Sequence, residues 1–160
     1  MKNLTERDAD VLWHPYTQMK LSPFSIAIEK GSGAYLFDYS GKQYIDAISS
    51  WWVNTHGHAH AQIAAAISKQ ANQLEQVIFA GFTHEPAITL AEKLLPLLPA
   101  NHKKVFLSDN GSTAVEAALK MSIQFFANKN IQRHKIIAFK DAYHGDTFGS
   151  MSVSARGVFT

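Results

Sequence analysis

The stretch Lys104-Val105-Phe106-Leu107-Ser108-Asp109-Asn110-Gly111-Ser112-Thr113-Ala114-Val115-Glu116-Ala117-Ala118-Leu119 decides the fold. Its first four residues form a short β-type run, and Ser108 to Gly111 is turn chemistry. From Ser112 to Ala127, apolar residues recur at Val115, Ala118, Leu119, Ile123 and Phe126, which is the spacing of one helical face. A second stripe of Ala114, Ala117, Met121 and Phe125 covers another side. A helix apolar on two sides is expected to lie between layers. Lys135 to Phe139 is the next β-type run. Strand, turn, helix and strand make a βαβ crossover, which predicts an α/β fold with parallel strands.

Upstream of that unit, a helix is expected from about Glu85 to Leu95. Pro86 is harmless at its start, and Pro96 and Pro99 end it. Ile63, Ala66, Ile67, Ala71, Leu74 and Ile78 predict another helix over residues 61–78. From Ser25 to Asp46 the pattern is strand-like. Ile26 to Ile28 leads into the turn Gly31-Ser32-Gly33, and Tyr35 to Phe37 and Gln43 to Ile45 flank a hairpin loop containing Gly41. Residues 1–25 are expected to be irregular, with Pro15 and Pro23 biasing their predecessors away from helix. Trp13, Tyr16 and Phe24 make this segment too aromatic for a free tail, so it should dock on the body of the protein.

Composition narrows the function classes. The chain has 160 residues, 46% hydrophobic and 18% charged, enough apolar content for a packed core. Fifteen basic against thirteen acidic residues give a net charge of +2. No run of like charge offers a nucleic-acid footprint. The absence of cysteine excludes disulfide scaffolds, thiolate metal sites and cysteine nucleophiles. The polar N-terminus is no export signal, and the apolar stretches are too short to span a bilayer. A cytoplasmic, soluble protein is expected, with no membrane or nucleic-acid partner.

Several groups could carry chemistry. Asn110-Gly111-Ser112-Thr113 sits between a strand's carboxyl end and a helix N-terminus, where ligands collect in open α/β sheets. Unpaired N–H groups and the helix dipole favour an anion there. The spacing matches neither of the common phosphate-loop patterns. A plain helix cap by Asn110 or Ser112 is the commoner use of such residues. Tyr143-His144-Gly145-Asp146-Thr147 follows the second strand of the same unit and should emerge on the same edge, placing a flat aromatic beside the anion site. His56, His58 and His60 alternate and could face a metal in an extended segment, but no HExxH motif or cysteine supports one. Trp51 and Trp52 would point to opposite faces of an extended segment, leaving one exposed to a ligand or a partner subunit.

Taken together, these segments resemble a known family. Leu12-Trp13-His14-Pro15-Tyr16-Thr17-Gln18-Met19, Ser49-Ser50-Trp51-Trp52, His56-Gly57-His58, Phe82-Thr83-His84-Glu85-Pro86-Ala87, Ser108 to Glu116 and Tyr143 to Thr147 occur in this order. They resemble the N-terminal part of the class III pyridoxal-phosphate aminotransferases. The His-Pro-Tyr-Thr segment and the double tryptophan are similar to the adenosylmethionine-8-amino-7-oxononanoate branch of biotin biosynthesis.

The resemblance implies a fold type I α/β enzyme acting as a homodimer. Its N-terminal hairpin segment, residues 1–55, would belong to a small domain, and residues 56–160 would begin the large cofactor-binding domain. By position, Gly111, Ser112 and Thr113 would hold the phosphate of pyridoxal 5'-phosphate, and Tyr143 would stack on its ring. Tyr16, Trp51 and Trp52 would line the substrate pocket, with Asp146 at its mouth and residues 82–87 near the dimer interface. The implied reaction moves the amino group of S-adenosylmethionine to 8-amino-7-oxononanoate, giving 7,8-diaminononanoate; some relatives use lysine as donor. The alternatives are another class III aminotransferase or a non-catalytic phosphate-binding module.

None of the twelve lysines matches the family's Schiff-base lysine motif. That lysine, the carboxylate that holds the pyridinium nitrogen and the carboxylate-binding arginine are expected beyond residue 160 of a longer protein. The 160-residue chain alone is expected to be inactive.

Overall fold

The hairpin expected between Tyr35 and Ile45 forms, and it supplies the middle strand and one edge of a three-stranded antiparallel sheet. A computed structural model describes residues 2–22 and 25–155, so Met1, Pro23, Phe24 and residues 156–160 lie outside the described residues. Strands β1 (Ile28–Ser32), β2 (Tyr35–Asp38) and β3 (Gln43–Ile45) pair in that order, with Gly31 opposite Leu36 and Leu36 opposite Tyr44. Asp38 organises the β2–β3 loop. Its Oδ1 accepts the N–H groups of Ser40 (2.9 Å) and Lys42 (3.0 Å) and the Ser40 hydroxyl (2.6 Å), while Oδ2 accepts the Tyr44 hydroxyl (2.9 Å). An aspartate that bonds the backbone two residues on is the usual stabiliser of such a turn.

Contacts divide the chain into two units, Met1–Ile78 and Phe79–Thr160. The first holds the sheet, α1 (Leu4–Val11), α2 (Ser49–Trp52) and α3 (Ala61–Ala71). Helix α1 corrects the expectation of an irregular N-terminus. Asn3 Oδ1 accepts the N–H of Glu6 at 2.9 Å, and Glu6 Oε2 accepts the N–H of Asn3 at 2.8 Å, a reciprocal capping box that starts a helix eight residues long. Helix α3 stops at Ala71, short of the expected Ile78. The Asn72 amide turns back to the Ser68 carbonyl (2.8 Å) and the Gln70 amide reaches Leu74 O (2.7 Å), so side chains compete with the helical ladder at its end.

The double-tryptophan segment is not extended. Ser49, Ser50, Trp51 and Trp52 have φ of 49°, 47°, 67° and 65°, so α2 is one left-handed turn. That conformation costs an L-residue about 1–2 kcal/mol, because Cβ crowds the following carbonyl. The turn persists because its surroundings hold it.

The second unit holds α4 (Glu85–Leu94), a 3₁₀ turn (Leu95–Leu97), α5 (Gly111–Asn128) and α6 (Phe148–Ser152). Residues 104–107 and 135–139, expected as parallel strands, join no ladder among the described residues. A strand is a pairwise object, and successive strands of a βαβ unit need not be neighbours in the sheet. Neither run pairs with a strand among the described residues, so no ladder marks them. Helix α5 is not sandwiched among the described residues either: Met121 and Phe125 on its second stripe are half exposed. Its N-terminal turns pack instead on α6, where Ser150 is fully buried and donates its hydroxyl to the Ser112 carbonyl at 2.8 Å.

No hydrophobic side chain of the described residues is fully buried. No helix among them is long and apolar enough to cross a membrane.

Candidate functional site

In the second unit, the site forms around the start of α5. Asn110 is the helix cap: its Oδ1 accepts the Thr113 N–H at 3.0 Å, and Thr113 Oγ1 accepts the Asn110 N–H at 3.2 Å. The Thr113 hydroxyl also lies 2.7 Å from Ser108 Oγ. The cap thus falls to Asn110, and Thr113 is committed to it. Among the described residues the N–H groups of Gly111 and Ser112 find no partner. These two donors, at the positive end of an 18-residue helix, are what an anion would meet. Nothing lies within 4 Å of where a Gly111 side chain would stand, so the space beside them is open.

The loop carrying Tyr143 is fastened to this turn. Ser112 Oγ accepts the Thr147 N–H at 2.9 Å and donates to Thr147 Oγ1 at 2.9 Å. Thr147 Oγ1 in turn donates to Glu116 Oε2 at 3.2 Å, and Glu116 Oε1 accepts the Gly149 N–H at 3.2 Å. A Cβ on Gly145 would stand 2.5 Å from Ser112 Cβ, and its φ of +110° is one that L side chains rarely adopt. The Tyr143 hydroxyl donates to Asp146 Oδ2 at 2.7 Å, which ties the ring to its own loop. Ser112 and Thr113 are therefore fixed by hydrogen bonds at the helix start beside Gly111, and Tyr143 and Asp146 pair on the loop that Thr147 fastens there. Sequence reasoning missed Glu116 and Thr147 as fasteners of that loop, although both lie inside the quoted motifs. Their role depends on contacts across more than thirty residues, for which no local pattern exists.

In the first unit, Tyr16 stacks on Trp51 with centroids 6.1 Å apart and planes 9° from parallel, and Trp52 tilts against Trp51 at 5.4 Å. Trp51 and Trp52 are 61% and 69% exposed, a flat aromatic surface of the kind that receives a ligand or partner. The histidines are dispersed. His58 Nε2 lies 2.8 Å from Asp46 Oδ2, while His56 and His60 meet edge to face at 6.1 Å. Among the described residues no group of three metal-ligating side chains assembles. The Asp46 carboxyl is lowered from its ordinary 3.8 to about 2, first by the Ser50 N–H, then by the Ser50 hydroxyl and His58. A larger hollow, about 540 Å³ between α1 and residues 25–28, holds the His14–Asp8 pair but none of the aromatic platform.

Comparison with known proteins supplies the relatives. The model of the family described as Aminotransferase class-III matches residues 16–158. The chain is 55% identical over 148 residues to the adenosylmethionine-8-amino-7-oxononanoate aminotransferase of Synechococcus elongatus, covering 92% of this chain and 35% of that protein. It is 43% identical to the protein of the same name from Methanocaldococcus jannaschii, over 99% of this chain and 35% of that protein. The crystal structure of the M. jannaschii protein superposes with a TM-score of 0.89 at 42% identity, over 94% of this chain and 35% of that one. An omega transaminase from Pseudomonas jessenii, solved in complex with PMP, gives a TM-score of 0.89 at 33% identity, over 97% of this chain and 35% of that one. The chain thus spans about a third of the length of the curated relatives it matches.

Proposed function

The chain belongs to the class-III aminotransferases, and from that premise we propose that the whole protein moves the amino group of S-adenosylmethionine to 8-amino-7-oxononanoate to give 7,8-diaminononanoate. The observation that carries the cofactor side of this reading is the clasp from Ser112 to Thr147. It holds the Tyr143 loop at a helix start that still has two N–H donors to offer. These residues fit pyridoxal phosphate: open space and unpaired donors suit its phosphate, and an adjacent tyrosine suits its flat ring. The cofactor, when bound, supplies an aldehyde that accepts and returns the amino group and a ring that draws electrons from the reacting carbon.

In this proposal, Gly111 and Ser112 bind the phosphate through backbone N–H groups, and Thr113 holds the cap that aims them. Tyr143 covers the ring, and Asp146 fixes the Tyr143 hydroxyl at the pocket mouth. Tyr16, Trp51 and Trp52 form the apolar wall against which the substrates lie. The enzyme works as a cytoplasmic homodimer in biotin biosynthesis. The identity to proteins named for this activity, 55% and 43% against 33% to the omega transaminase, favours it over other class III transaminations.

The test is product formation by the full-length protein supplied with pyridoxal phosphate, 8-amino-7-oxononanoate and a choice of donor. Diaminononanoate made with S-adenosylmethionine supports the proposal. Product made only with lysine changes the donor, and transamination of other ketones alone points to a different class III activity.

A further inference from the structure

We propose that Asp46 and His58 are positioning residues that lock the left-handed turn Ser49–Trp52 and thereby set the stack of Trp51 on Tyr16. The inference rests on Tyr16, Trp51 and Trp52 forming the substrate wall. Four consecutive residues with side chains hold positive φ here. Such a turn is sterically disfavoured and survives only where neighbouring groups over-determine it.

The neighbouring groups are identifiable, and they connect the turn to the sheet. Asp46 follows β3 directly, and its N–H donates to the Ala34 carbonyl at 2.9 Å, so its backbone is anchored. Its carbonyl accepts the Ser49 N–H at 3.2 Å, where the turn begins. Its Oδ2 accepts the Ser50 hydroxyl at 2.7 Å and His58 Nε2 at 2.8 Å. One carboxylate oxygen therefore bridges the strained turn and the imidazole.

His58 is held just as firmly. Its N–H and carbonyl exchange bonds of 2.8 and 3.1 Å with Gly33, beside the end of β1. Gly31 leaves room for it, since a Cβ there would stand 2.6 Å from His58 Cβ. The pair is secluded, with side-chain exposure of 14% for His58 and 6% for Asp46. An ionised carboxylate only accepts, so Nε2 carries the proton and Nδ1 faces the Asn54 amide, 3.4 Å away, as acceptor. The low carboxyl pKa of Asp46 is consistent with this set of donors. The line of force runs from sheet to imidazole to carboxylate to Ser50, and from there to the indole that stacks on Tyr16.

The experiment uses the full-length holoenzyme and three variants: Asp46→Ala, Asp46→Ala with Ser50→Gly, and Trp51→Ala. Near-ultraviolet circular dichroism reads the aromatic stack, and steady-state kinetics separate KM from kcat. Asp46→Ala removes the accepting oxygen and should diminish the aromatic dichroism and raise the KM for 8-amino-7-oxononanoate about tenfold, with the bound-cofactor absorbance unchanged. Adding Ser50→Gly should restore most of both signals, because glycine enters the left-handed region without a latch. A merely structural role for Asp46 would not be rescued at that one position. Unchanged dichroism in Asp46→Ala overturns the proposal. If Trp51→Ala leaves KM unchanged, the substrate-wall reading fails, and the dichroism of Asp46→Ala still decides whether the latch exists. Should Asp46→Ala not fold, His58→Gln carries the same two readouts from the other end of the pair.

Discussion

Ser112 Oγ accepts the backbone N–H of Thr147 at 2.9 Å, joining the first turn of α5 to a loop 35 residues further along the chain. The same hydroxyl donates to Thr147 Oγ1, so one side chain makes both bonds of the clasp. In the full-length protein, Ser112→Ala and Thr147→Val should each weaken pyridoxal phosphate binding. The double variant should be less than additive, with a coupling of about 0.5–3 kcal/mol. Cofactor titration of the four proteins in the cycle measures it. Strict additivity would show that the clasp does not hold the site together.

Gly145 is where the loop passes closest to Ser112. Gly145→Ala adds a methyl 2.5 Å from Ser112 Cβ and forces a side chain onto a φ of +110°. The backbone penalty alone is about 1–3 kcal/mol, so cofactor affinity should fall about fivefold or more. Equilibrium binding that matches the parent protein would mean that the loop can swing aside freely.

Tyr143 separates a ring effect from a hydroxyl effect. Tyr143→Phe keeps the ring and loses the 2.7 Å bond to Asp146, so cofactor affinity should change little while substrate KM rises. Tyr143→Ala also removes the stacking surface and should cost about 0.5–1.5 kcal/mol beyond lost area in cofactor binding. Equal affinities in the two variants would argue against a stacking role.

Acid should weaken the hairpin in a defined direction. Asp38 is lowered from 3.8 to about 2, mainly by the Ser40 hydroxyl, with Tyr44 and the Lys42 and Ser40 N–H groups adding to it. A carboxyl depressed in the folded state stabilises it above the ordinary carboxylate pKa, and the effect disappears as pH falls through the folded value. The gap in Tm between the full-length protein and its Asp38→Asn variant should therefore be widest above about pH 5 and close towards about pH 2. A gap that ignores pH would exclude the carboxylate charge as its source.

Much of the local fold was legible in the chain. Short β-type runs about a Gly-containing loop located β2 and β3, and apolar spacing located α5 within a residue or two. Helix α1 could have been found too, because Asn3 and Glu6 have the capping-box spacing. The turn at Trp51 could not. Its residues have no glycine to announce positive φ, and it exists only because Asp46 and His58 hold it from outside. The runs at 104–107 and 135–139 have strand composition, but composition cannot supply the neighbouring strand that would make a ladder.

The sequence by itself determined the family, a helix start within Asn110–Ser112, the helix that follows it and the residue types of the candidate site, since each depends on near neighbours or on an ordered set of short motifs. Only the tertiary structure decided that Ser112 fastens the Tyr143 loop and that His58 pairs with Asp46. Those outcomes are set by which groups meet across 12 to 35 residues of chain. A hydrogen bond at that distance is chosen by packing, and no spacing within the chain encodes it.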